Sequence, residues 1–182
     1  MELLERTKQQ IVRANCALAW MELLVCQFLV VGFALLLLLN VMLRYVLSAP
    51  LYYAEETAIY MLIWMTYLAA ASAIARGDMV ALTIVTDKLQ LPLQQMLKTL
   101  VNLLIAAMCV VLLNATVSWL NAPGTAFDRA LTLGMPKRPF YAIMAIFFAL
   151  TSFHALVHAF LGSMKLLRWD FETDTPDSGK LK

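Results

Sequence analysis

Four stretches of this chain are too apolar and too long to sit comfortably in water. The clearest is Thr57–Ala75, nineteen residues without a charge, opened by the carboxylates Glu55 and Glu56 and closed by the guanidinium of Arg76. Coiled as a helix, such a run covers about 28 Å, close to the ~30 Å hydrocarbon core of a bilayer. Leu23–Leu43, Thr99–Trp119 and Pro139–Met164 repeat the form: none holds an Asp, Glu, Lys or Arg. A core of this size cannot hide the excess, since 62% of the residues are hydrophobic and 14% charged, against about 45–50% and about 25% in a soluble domain. The chain therefore reads as an all-α membrane protein with four transmembrane helices, at about 20–45, 55–76, 99–120 and 139–165.

The remaining segments connect or anchor these spans. Residues 1–19 read as an amphipathic, interfacial helix, with Leu3, Leu4, Ile11 and Val12 on one face and Arg6, Lys8 and Arg13 elsewhere. A plain extension of the first span fits the same residues. Glu2, Glu5 and Glu22 stand where a cleavable signal would be basic, so the first span is expected to stay attached. Pro50 breaks the chain between spans one and two, and so short a link makes them antiparallel neighbours. Residues 79–98, interrupted by Pro92, are too charged to cross lipid and read as a second interfacial segment. The spans form one domain, 20–168, and 169–182 reads as a disordered tail. Lys and Arg favour the cytoplasmic side. With both termini inside, ten of the fourteen fall there, and Arg44, Arg129, Lys137 and Arg138 fall outside. Both termini are thus expected to be cytoplasmic.

Charges at the span ends are the candidate sites. Arg44 should meet Glu55 and Glu56 across the short loop, because unpaired charge at a lipid boundary is costly. That cluster reads as a structural clasp or as an outer docking surface. Glu22 and Arg76, at the other ends of the same helices, form a candidate second ion pair. Ala69 and Ala73, with Ser72, have the spacing that lets helices approach closely in lipid, and Trp64 is a further packing candidate. His154 and His158, one turn apart, cannot reach opposite faces of one haem and read as satisfied or interfacial side chains. Cys16, Cys26 and Cys109 are scattered fillers. No nucleophile elbow, phosphate loop or zinc-protease motif occurs. No catalytic, cofactor or metal residues are therefore assigned, and no basic stripe points to nucleic acid. Ion-driven carriers build their sites from broken helices, and these spans are largely unbroken. An accessory subunit follows. The alternatives are the membrane anchor of a haem- or quinone-linked oxidoreductase, and a small channel lined by Asn102 and Asn114.

Asn40-Val41-Met42-Leu43-Arg44-Tyr45, the pair Glu55-Glu56 followed by Trp64, the small-residue run Ala69–Gly77, and Leu133-Gly134-Met135-Pro136 together resemble the small membrane subunit (DctQ-like, Q subunit) of tripartite ATP-independent periplasmic (TRAP) transporters. The resemblance covers about Val41–Tyr141. It implies a scaffold without a cofactor, embedded among the membrane phospholipids of a bacterial inner membrane, that braces a large elevator-type membrane subunit. That larger subunit would hold the substrate and sodium sites and receive an organic acid from a periplasmic substrate-binding protein. Under this resemblance Arg44, Glu55 and Glu56 are outer-face structural or docking residues.

Overall fold

The computed structural model describes residues 2–77 and 90–173. Its described residues form five helices and no strand: α1 (Glu2–Val46), α2 (Ala54–Arg76), α3 (Leu91–Leu120), the short α4 (Pro123–Phe127) and α5 (Arg138–Thr173). The four long ones are each long and apolar enough to cross a membrane, as the uncharged runs require.

Helix ends follow local chemistry. α1 stops where Ser48 turns left-handed at φ 52°, Ala49 N donates to Leu43 O over 3.1 Å, and Pro50 follows. Glu55 and Glu56 lie in the first turn of α2, where the helix dipole favours negative charge. Its last turn closes on Gly77 at φ 73°, a conformation that suits a residue without a Cβ.

Three helices extend past the expected span limits. No break occurs near residue 19. The segment from Glu2 continues into the first span as one 45-residue helix, since no Gly precedes Gly32 and no Pro precedes Pro50. The third helix starts at Leu91 rather than near residue 99, because Pro92 falls in the first turn, where its missing N–H costs nothing. Residues 91–98 are thus helical, and the rest of the expected 79–98 interfacial segment lies outside the described residues. The last helix runs on to Thr173, beyond 168, with no Pro between Pro139 and Pro176 to stop it. Residues 174–182 of the expected tail also lie outside the described residues.

The helices form a row, α1–α2–α5–α3. α2 packs on both α1 and α5, and α3 packs chiefly on α5. α1 and α2 are antiparallel: Asn15 bonds at the level of Ala75, Ser72 Oγ donates to Ala19 O, and Cys26 Sγ donates to Met65 O. α2 and α5 run parallel, with Tyr60 stacked on Phe140 at 4.2 Å and Tyr67 against Phe147 at 5.1 Å. α3 returns antiparallel to α5, with Thr99 against Gly162 at one end and Trp119 against Tyr141 at the other. The molecule therefore has a loop end, holding the α1–α2 link and the α3–α5 connection, and a terminal end. Near the terminal end α1 also touches α5.

Candidate functional site

At the loop end, Arg44 Nη2 meets Glu55 Oε1 at 3.1 Å. Both side chains are more than half exposed, so the pair is a surface contact of small energy. Glu56 does something else. Its carboxylate accepts from Tyr60 Oη at 3.2 Å, Leu131 N at 3.1 Å, Thr132 N at 2.7 Å and Thr132 Oγ1. A carboxylate offers about four acceptor positions, and here four donors use them. Three of these come from the α3–α5 connection, which Glu56 fixes to the start of α2. That connection is closed by Ala130 N donating to Met135 O, by Gly134 at φ 65°, and by Lys137 Nζ at 3.7 Å from Asp128. Asn40 Oδ1, buried on α1, accepts Leu51 N at 2.9 Å and so holds the α1–α2 link as well.

These contacts predict an order of effects. Glu56→Ala should free the 129–136 connection and raise its cleavage by added protease several-fold. Arg44→Ala or Glu55→Ala should shift the melting free energy by no more than about 0.5 kcal/mol. Equal effects from all three substitutions would refute that order.

At the terminal end, α1 presents Asn15, Ala19 and Glu22 along one buried face, spaced four and three residues apart as a helical face requires. His154 of α5 stands opposite and is completely buried. Its Nδ1 lies 2.7 Å from Asn15 Oδ1, and its Nε2 lies 2.9 Å from Glu22 Oε1. Asn15 Nδ2 donates to Ala75 O of α2 at 3.3 Å, which fixes the amide with its oxygen toward the imidazole. Nδ1 must therefore carry a proton. Nε2 faces a carboxylate oxygen, so a second proton lies between them, on the ring or on the acid. In either form the buried pair has no net charge. One turn further, His158 Nε2 meets Ala75 O at 2.9 Å. One cluster thus joins α1, α2 and α5.

The expected Glu22–Arg76 pair is not what this arrangement builds. Asn15 is level with the end of α2, and Glu22 lies seven residues further along α1, or about 10 Å at helical rise. Glu22 therefore meets α5 rather than Arg76. Trp64 joins α2 to α5 by donating Nε1 to Phe140 O at 3.1 Å. Within the small-residue run α2 buries Ala71, Ser72 and Ala75, while Ala69 and Ala73 on the adjoining stripe are half-buried. Asn102 and Asn114 each donate to a carbonyl of their own helix, Lys98 O and Val110 O. Sequence reasoning missed Asn15, Asn40 and the partner of Glu22. Their signal was present: polar residues on an otherwise apolar helix mark the face turned away from lipid.

A family model described as "Tripartite ATP-independent periplasmic transporters, DctQ component" matches residues 33–164. A Haemophilus influenzae (strain ATCC 51907 / DSM 11121 / KW20 / Rd) protein, provisionally named TRAP transporter small permease protein, is 26% identical over 114 residues. The match covers 63% of this chain and 70% of that protein. His154 and the loop-end residues lie inside the family match, whereas Asn15 and Glu22 precede it. Four membrane-length helices, in a sequence that the family model matches over well over half its length, make this chain a member of the DctQ family, the small permease component of TRAP transporters and not an enzyme family.

Proposed function

We propose that the chain is a fixed brace in the inner membrane, holding the large elevator-type subunit of its transporter during sodium-coupled uptake of an organic acid. A periplasmic binding protein would deliver that acid. Both termini face the cytoplasm in this reading, because Lys and Arg crowd the terminal end. Arg44, Glu55 and Glu56 then face outward, where Glu56 keeps the exposed connection in one shape for a docked partner.

The observation that carries the reading is where the polar side chains of the spans bond. Asn15, Glu22 and His154 close on one another and on α2. Asn102 and Asn114 return to their own backbone. Polar groups that serve a solute path face a cavity, whereas the first three knit helices together and the last two bond within their own helix. Large apolar side chains such as Phe28, Leu35 and Leu38 instead lie exposed along α1, a surface suited to lipid or to another membrane subunit. The haem-anchor alternative is disfavoured by His154, whose two ring nitrogens both face partners within the protein.

The test is reconstitution of the large subunit with and without this chain. Co-purification and sodium-driven uptake that requires both chains are expected. Full uptake by the large subunit alone, or solute movement by this chain alone, would refute the brace.

A further inference from the structure

Arg138 opens α5 at the loop end. Its side-chain hydrogen bond among the described residues goes to the neutral Asn121 Oδ1. Among the described residues no carboxylate forms an ion pair with it, in contrast to Arg44 and Lys137. Beneath it lies an open groove of about 370 Å³, lined by Val117, Leu120, Asn121, Arg138, Pro139 and Ala142. The lining is graded along the helix axes. Asn121 and Arg138 form the rim, and Val117 and Ala142 lie four residues further into the spans, about 6 Å deeper. Trp119 and Tyr141, in contact at 5.2 Å, occupy the same level, and such aromatics mark the headgroup depth of a bilayer.

We propose that this groove holds one anionic phospholipid, its phosphodiester on Arg138 and Asn121 Nδ2 and an acyl chain along Val117, Leu120 and Ala142. The match is one of polarity and of charge. The occupant must be anionic at the rim and apolar toward the bilayer centre, which is the order of groups along a phospholipid. A guanidinium offers several N–H donors, and Asn121 Oδ1 takes only one of its nitrogens. The proposal rests on α3 and α5 crossing the bilayer.

The full chain is reconstituted in nanodiscs of phosphatidylcholine with or without phosphatidylglycerol, then released, and retained lipid is counted by native mass spectrometry. Phosphatidylglycerol should be retained in preference to phosphatidylcholine. Arg138→Ala should lower its retention about fivefold, the effect of one basic side chain near an anionic surface, and Arg138→Lys should keep most of it. Ala142→Phe leaves the charge and fills the groove, and it should also release the lipid. Helical circular dichroism identifies any variant that fails to fold, and the remaining variant then decides. Unchanged retention in a folded Arg138→Ala or Ala142→Phe variant overturns the site, as does equal retention of the two lipids. Failure of the wild-type chain to enter nanodiscs would instead overturn the membrane-spanning reading.

Discussion

His154→Leu should abolish stable accumulation of the chain, and adding Glu22→Leu should restore it. The single substitution leaves a carboxylate that is only 4% exposed without its partner at Oε1, and its Oε2 already has none among the described residues. Breaking a buried pair from one side costs about 3–5 kcal/mol, comparable to much of a domain's total stability of about 5–15 kcal/mol. The double substitution removes both polar groups, and apolar replacements of similar volume are often neutral or stabilising by about 1–4 kcal/mol. Asn15 should keep its bond to Ala75 O in every variant, and its Oδ1 loses the His154 donor equally in the single and the double substitution. Glu22→Gln alone should be mild, within about 1 kcal/mol, because the amide N–H can donate to Nε2 while Asn15 still accepts from Nδ1. Melting of the purified chain in detergent, with its amount in membranes, measures all four. A His154→Leu chain that melts like wild type, or a double variant no better than the single one, would show that the junction does not hold the helices together.

This junction also shows what could and could not be read in advance. The spans were legible because their length is set from outside, by the thickness of the bilayer. The inner face of α1 was harder. Its span is apolar on all sides, so an apolar stripe cannot point to the core as it would in a soluble helix. Three of the four α1 residues buried among those described are polar, namely Asn15, Glu22 and Asn40. In lipid, polarity marks the inside, and a reading organised around hydrophobicity passes over it. Partner choice needed the register as well. The charges of Glu22 and Arg76 suggested a pair, but Asn15 is the α1 residue level with the end of α2. Glu56 had the same difficulty. Its donors at Leu131 and Thr132 lie 75 and 76 residues away, and nothing local announces them. Arg44–Glu55 was within reach because eleven residues and a proline fix that meeting.

Gly162→Ala should loosen α3 from α5, against the helix propensity that would otherwise favour it. A Cβ at Gly162 would lie 2.3 Å from Thr99 Oγ1 and 3.4 Å from Thr99 Cβ. Thr99 cannot easily turn aside, because it is β-branched and donates Oγ1 to Gln95 O at 2.8 Å. Overpacking costs about 1–3 kcal/mol, and Gly to Ala within a helix returns about 1 kcal/mol, so the net effect should be a loss of up to about 2 kcal/mol. Thr99→Ala removes the Oγ1 atom, and the double variant should therefore melt at or above wild type. Gly32 supplies the control. Its nearest obstacle, Met61 Cε at 2.9 Å, is the tip of a flexible side chain that can move away, so Gly32→Ala should cost little. Because α3 joins the row chiefly through α5, Gly162→Ala should also reduce uptake by the reconstituted transporter, and Thr99→Ala should restore it. If Gly162→Ala alone raises the melting temperature, the close approach of α3 and α5 is not as tight as this geometry requires.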